Sequence, residues 1–389
     1  MLARLVAVLC AVVLLAGVAT VSYDYGARNH NPAALVGSGD ATGKLDFLEE
    51  ILHTLRADSV EAPKDDTLID GAVEGLLGAL DDPYARYYDE DAFDDLNAML
   101  EGGFSGIGVV IEETPKGLVI VTVFEGTPAR RAGLQEGERI VSVDGTPVAK
   151  YPTDVIVDRI KGEEGTEVTL GLAGGSEGRR EVTLTRARIE LPNVESRRLA
   201  DGSGYVQMRQ FTKGVADKVR SEVTLLLDDG APGIVLDLRG NPGGLLGEAV
   251  DVASVFIEDG PIVEVRERGE TTRSYTAKGD ALEGVPLVVL VNKGSASASE
   301  IVAGAIQDSQ RGLLVGQRTF GKGTVQTIHR LDAGGGVKYT TAKYFIPSGD
   351  SIEEVGVEPD RVVSGARKQL ATARRELREL IAARSDGTG

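Results

Sequence analysis

The sequence predicts an α/β core that is interrupted by a smaller, mostly β insert and framed by helices at both ends. Three observations carry this expectation. Ile234–Leu238, Leu287–Val291 and Leu313–Val315 are short, unbroken apolar runs, the pattern of strands buried on both faces. Leu245–Ile257 and Ala298–Ile306 lie between them with helical periodicity, so strand and helix alternate around a mostly parallel sheet. From Gly102 to Arg188, by contrast, short β-like segments are separated by glycines.

Taken in order, the run from Leu5 to Val21 holds no charge and no proline and follows Arg4. That length is near the lower limit for crossing a bilayer, and the leading arginine keeps the N-terminus inside and exports the rest. No clear Ala-x-Ala cleavage site follows, so residues 1–28 are read as a membrane anchor in preference to a removed signal segment. The protein is then extracytoplasmic and bound to the cell membrane, or secreted if the segment is cleaved. Cys10 lies inside the run, which argues against a lipoprotein. Residues 29–43 read as a linker, and 44–101 as a helical region. There Leu45, Leu48, Leu52 and Leu55 recur at helical spacing beside Phe47 and Ile51. A second helix is expected over Thr67–Leu80, stopping before Asp81-Asp82-Pro83.

In the insert, residues 102–188, strands are expected at Ile107–Ile111, Leu118–Val123, Arg139–Val143, Glu167–Leu172 and Glu181–Thr185. A short helix at Ala129–Gly133 ends on glycine. The core spans 189–362. In the tail, 363–389, Leu370, Leu377, Leu380 and Ile381 punctuate a charged amphipathic helix over Ala366–Arg384, a packing arm or a dimer contact.

Composition excludes several functions. Sixty acidic against 42 basic residues give a net charge of −18, which disfavours a nucleic-acid partner. A single cysteine rules out a disulfide framework or a cysteine-based zinc site, and His30, His53 and His329 are too few for a histidine-rich one. No metal or cofactor is expected. Gly106-Ile-Gly108 lacks the third glycine of a dinucleotide fingerprint. Gly316 to Lys322 has the spacing of a phosphate loop, but Gly323 stands where a hydroxyl is needed, and Thr324–Ile328 continues as a strand.

Asn292-Lys-Gly-Ser295-Ala-Ser297-Ala-Ser299-Glu300 joins a buried strand to a helix and has two readings. Ser297 with Glu300 is a capping box that requires no chemistry. The same turn could hold a nucleophile at the end of the sheet, where helix N–H groups meet a developing negative charge. There is no Gly-x-Ser-x-Gly elbow, and the histidines form no obvious triad. A serine nucleophile could instead use a lysine kept neutral in an apolar pocket. Lys322, between Gly321 and Gly323, suits that role, although on local sequence alone an exposed turn is the commoner place for such a lysine.

Together these segments resemble the carboxyl-terminal processing proteases, tail-specific serine peptidases that carry a PDZ domain. The likeness runs from about Lys44 to Asp360. It rests on Leu80-Asp-Asp-Pro-Tyr84, on Gly103-Phe-Ser-Gly106-Ile-Gly108, and on Thr127-Pro-Ala-Arg-Arg-Ala-Gly133 with Val143-Asp-Gly145. Leu236-Asp-Leu-Arg239-Gly-Asn241-Pro-Gly-Gly244, the two segments around Ser297 and Lys322, and Gly356-Val-Glu-Pro-Asp360 complete it.

The resemblance implies a crotonase/Clp-protease-like core with an inserted PDZ domain. It implies Ser297 as nucleophile, Lys322 as general base and Gln326 orienting the lysine, the last two on one face of a strand. It implies an oxyanion hole from Gly243 and Ala298, with Gly244 as the alternative to Gly243. The PDZ-like region would capture the C-termini of unfolded or tailed polypeptides by strand addition around Phe104, Gly106, Ile107, Gly108 and Val109, with a preference for apolar tails. Arg159 would gate the protease, and the helical ends would form a homodimer as in relatives. The rival reading is a catalytically inactive PDZ scaffold that binds protein C-termini.

Overall fold

The computed structural model describes residues 41–61, 64–114, 117–151, 153–174, 178–190, 193–268 and 272–386. The expected anchor and the linker up to residue 40 lie outside the described residues, as do Cys10 and His30. Among the described residues no helix is long and apolar enough to cross a membrane. The chain divides into two compact units, one of Asp95–Pro192 and one formed by the segments on either side of it.

Two helices open the described chain, α1 (Ala41–Asp58) and α2 (Asp65–Gly78), followed by β1 (Arg86–Tyr88) and α3 (Glu90–Leu100). The apolar stripe expected on α1 forms, but Phe47, Leu48, Ile51 and Leu55 are all exposed.

The smaller unit runs β2 (Gly103–Gly106), β3 (Val109–Thr114), β4 (Gly117–Val123), α4 (Pro128–Arg131), β5 (Arg139–Val143) and β6 (Thr146–Pro147). It continues with α5 (Thr153–Ile160), β7 (Glu167–Ala173), β8 (Arg179–Thr185) and β9 (Ala187–Glu190). The main sheet has the order β3-β4-β5-β7-β8, so β3 is an edge, and β2 pairs with β9 apart from it. Alternation along the strands sends Leu118, Ile120, Ile140, Leu170 and Leu172 into one core with Ile107 and Ile156. Thr127 caps α4 and Gly133, at φ 73°, follows it, which is the glycine stop that the sequence announces. The buried Arg186 guanidinium donates to Arg159 O and Ile160 O, satisfying carbonyls at the end of α5.

The larger unit resumes with β10 (Val194–Arg198), β11 (Gly204–Met208), α6 (Val215–Asp228), β12 (Ile234–Asp237), α7 (Leu246–Ser254), β13 (Pro261–Glu267) and β14 (Thr272–Thr276). It then runs β15 (Leu287–Val291), α8 (Ala298–Asp308), β16 (Leu313–Gly316), β17 (Thr324–Arg330), β18 (Gly336–Phe345), β19 (Arg361–Val362) and α9 (Ala366–Asp386). The central sheet has the order β10-β11-β12-β15-β16-β19 and is parallel from β11 onward. Its pleat explains the unbroken apolar runs. Ile234, Leu236, Leu287, Val289 and Val291 face a core shared with α6, α7 and α8. Val235, Val288, Leu290 and Val315 face Ala373 and Leu377 of α9. Each such side chain contributes about 1.5–3 kcal/mol by leaving water.

A second, antiparallel sheet has the order β1-β18-β13-β14, with β17 also paired to β18. Of its strands, the sequence pattern announced only β17. Mixed polar and apolar residues, as in Gly336-Val-Lys-Tyr-Thr-Thr-Ala-Lys-Tyr-Phe345, hide the others.

Candidate active site

The turn after β15 is fixed by its own side chains. Ser295 Oγ donates to Leu238 O at 2.8 Å and accepts the Asn292 N–H at 3.0 Å. Ser299 Oγ donates to Asn241 O at 2.8 Å. The outer two serines of the motif are thus backbone staples. Ser297 differs from both. It sits at φ 58° and ψ −116° as the residue before α8, a conformation costing a non-glycine residue of order 1–3 kcal/mol. Its side chain is wholly buried and in hydrogen-bonding contact with Tyr344. Glu300 Oε2 accepts its N–H at 2.8 Å, so the capping relation expected of Ser297 and Glu300 is present as well. A cap and a strained, buried hydroxyl coexist in one residue.

Lys322 lies in the turn between β16 and β17 and is 4% exposed. Its flanking glycines let this turn press against residues 353–356. A Cβ on Gly323 would stand 2.7 Å from Glu353 N, and one on Gly321, at φ 92°, 3.0 Å from Glu354 C. The Lys322 Nζ sits 4.5 Å from the centroid of the Tyr84 ring. Burial lowers its pKa to about 7, the nearby Lys338 adds to the effect, and Glu353, Asp82 and Glu300 oppose it. An amine in this setting is largely neutral just above neutral pH.

One carboxylate joins the two turns. Glu300 Oε2 accepts the backbone N–H groups of Ser297 and of Lys322, the latter at 2.9 Å. Its Oε1 accepts the Gly321 N–H at 2.7 Å and the Thr319 hydroxyl. Phe320 N–H adds a link to Ser295 O at 3.0 Å. Burial raises the Glu300 pKa, while these donors work against the rise.

Glu300 was legible as a helix-capping residue, but nothing local signals its reach across to residues 319–322. Tyr84 belongs to the Asp-Asp-Pro-Tyr motif, and that motif's place beside the amine is visible only in three dimensions. Asp82 accepts from Thr340 N at 2.7 Å and from Tyr84 N at 3.0 Å, tying the motif to β18. Lys338 and Tyr344 carried no sequence signal at all.

The turn that follows β12 meets the Ser297 turn directly. A Cβ on Gly243, at φ 104°, would stand 2.9 Å from Ser297 Cβ and 3.0 Å from Ala298 N. The Gly243 N–H is bound to Asn241 Oδ1 at 2.9 Å. Those of Gly244 and Ala298 take no partner among the described residues.

The expected shared strand face of Lys322 and Gln326 is not formed. Lys322 precedes β17 rather than lying on it, and a bulge separates Val325 from Gln326, so strand alternation cannot place the two side chains on one face. Gln326 Nε2 donates to Thr324 Oγ1 at 2.9 Å and Thr340 Oγ1 at 3.3 Å. Its Oε1 is buried and takes no hydrogen bond among the described residues, the Lys322 amine included.

In the smaller unit, Phe104 and Gly106 stand on β2 opposite Ile189 and Ala187. Ile107 is buried in the core, so it cannot offer apolar surface to a bound tail as expected. Gly108 is at φ 83°, where a Cβ would stand 2.3 Å from Thr127 Cβ, and its carbonyl accepts from Phe124 N at 3.1 Å. Val109 begins the edge strand β3. Arg159 is exposed, with its guanidinium carbon 4.9 Å from the Tyr151 ring centroid and Nη1 3.4 Å from Thr146 Oγ1. Both of these partners belong to its own unit.

Three family models match successive parts of the chain. Residues 202–363 match the model of peptidase family S41, residues 119–173 that of a PDZ domain, and residues 22–92 that of the N-terminal domain of the activating protease CtpB. A carboxyl-terminal-processing protease of Synechocystis is 40% identical over 299 residues, 75% of this chain and 70% of that protein. The carboxy-terminal processing protease CtpA of Bacillus subtilis is 35% identical over 323 residues, 83% and 69% of the two. The solved photosystem II D1 C-terminal processing protease is 32% identical with a TM-score of 0.50, covering 81% of this chain and 86% of that one. The chain belongs to the carboxyl-terminal processing proteases of peptidase family S41, serine-type peptidases that carry a PDZ domain.

Proposed function

We propose that this protease cleaves exported polypeptides through an acyl-enzyme on Ser297, with Lys322 as its general base. The observation that carries the reading is the seating of Lys322: a buried amine, at the ring of Tyr84, with its pKa brought to about 7 and its backbone held by the carboxylate that holds Ser297. The neutral amine takes the Ser297 Oγ proton as the oxygen attacks the scissile carbonyl carbon. The N–H groups of Ala298 and Gly244 receive the oxyanion, Gly243 being engaged by Asn241. The lysine then protonates the leaving amine, and a water deprotonated by the same lysine releases the acyl group. Gln326 Oε1, buried and without a partner among the described residues, is the acceptor suited to orient the amine in the working state.

Substrates are captured by their C-termini, the tail adding a strand to the β3 edge and its carboxylate meeting N–H groups near Gly106–Gly108. Arg159 gates the protease. Residues 1–28 tether it outside the cytoplasm, and the exposed stripe of α1 supports a homodimer. Purified Ser297→Ala protein should bind an unfolded tailed substrate and leave it intact. Cleavage by that variant at the wild-type rate refutes the nucleophile.

A further inference from the structure

Asn241 is completely buried, and each of its polar groups is engaged. Its Oδ1 accepts the Gly243 N–H at 2.9 Å and its Nδ2 donates to Met208 O, at the end of β11, at 3.0 Å. Its own N–H donates to Leu238 O at 3.2 Å, and its carbonyl accepts from Ala296 N at 3.0 Å and from Ser299 Oγ at 2.8 Å. One residue therefore anchors the glycine turn both to the neighbouring strand and to the turn that carries Ser297.

This arrangement decides which N–H groups remain available. The side-chain turn from Asn241 to Gly243 withdraws the Gly243 N–H. The Gly243 carbonyl is itself bound by Phe211 N–H at 2.9 Å. The Gly243–Gly244 peptide bond is trans, so the Gly244 N–H points opposite to that carbonyl, away from Phe211, and it takes no partner among the described residues. The Ala298 N–H, at the start of α8, is in the same position. The two turns touch where Gly243 packs on Ser297.

We propose that Asn241 is a positioning residue for the oxyanion hole: it holds the Gly243 N–H aside and presents the Gly244 N–H, with that of Ala298, to the scissile carbonyl oxygen. The proposal rests on Ser297 being the nucleophile. Alanine at position 241 removes both side-chain bonds. Serine keeps a shorter acceptor for the Gly243 N–H. Aspartate keeps the acceptor, loses the donor to Met208 O, and sets a negative charge beside the developing oxyanion.

The test uses the full chain with Asn241→Ala, Asn241→Ser and Asn241→Asp, and Ser297→Ala as control. It measures kcat and KM on an unfolded tailed substrate, affinity for a tetrahedral peptide boronate, and melting temperature. Asn241→Ala should lower kcat by about 10²-fold and weaken the boronate by a similar factor, with KM within about twofold. Asn241→Ser should lose less than Asn241→Ala, and Asn241→Asp more. Should the alanine variant not fold, the Ser and Asp variants carry the same comparison. Unchanged or increased kcat, or a fall in kcat with boronate affinity retained, overturns the role of Asn241. Proteolysis by Ser297→Ala overturns the nucleophile instead, so the two failures are told apart.

Discussion

The turns that carry Ser297 and Lys322 follow adjacent parallel strands, β15 and β16, yet they are built by opposite means. The Ser297 turn is held largely by side chains of its own segment, with Ser295 and Ser299 fastening it to residues 238–241. The Lys322 turn makes use of glycines, and its shape comes from distant contacts: residues 353–356, Tyr84 and Glu300. A nucleophile can be placed by local rules, whereas a base whose pKa must fall needs surroundings gathered from the whole fold.

The largest effects should come from the two residues themselves. Ser297→Ala should lower kcat by about 10⁴-fold or more while leaving the melting temperature within a few degrees. Lys322→Met should abolish proteolysis to a similar extent, yet raise the melting temperature at neutral pH. The sign follows from linkage. The folded-state pKa, about 7, lies below the ordinary lysine value of 10.5. Between these values the unfolded chain binds more protons, so the cost to stability grows as pH falls from 10.5 towards 7 and stays in full below that. Methionine removes that cost. A Lys322→Met protein less stable than wild type at pH 7 would break the contrast between the turns.

Next in size is Glu300, the link between them. Glu300→Ala should destabilise the fold by at least about 2 kcal/mol, because several buried donors lose their acceptor, and should lower kcat by about 10–10²-fold. Glu300→Gln, which keeps one acceptor oxygen, should lose less of both. Thermal melts and initial rates on one preparation check this.

The contrast also explains what could be read in advance. The parallel sheet was legible because β12 and β15 are apolar throughout, being buried on both faces. The Ser297–Glu300 pair was legible because capping is local. Residues 336–345 hid a long strand, since their polar side chains alternate without a clean period. Lys338 gave no sign that it would be buried near Lys322. Strand alternation does not set Gln326 beside Lys322, because the strand would have to extend back over a turn and through a bulge. The Ile107 side chain was expected on a groove and packs in a core instead, because an apolar residue beside glycines fits both equally well.

The smallest effect sharpens the comparison most finely. Lys338 lowers the pKa of Lys322 through its own charge, so Lys338→Met should raise it. The acid limb of the kcat profile should move upward by a few tenths to about one pH unit, with the plateau rate unchanged within about twofold. A downward movement would show that Lys338 acts otherwise.

The central claim is that Lys322 is a base because its amine is neutral near pH 7. It is tested most directly by the rate at which a fluorophosphonate labels Ser297, followed from about pH 5 to about pH 10 in wild type and in Lys322→Met. The wild-type rate should rise with a midpoint of about 7, and the variant should show no such rise. A wild-type midpoint near 10.5, or the same rise in the variant, would contradict the account.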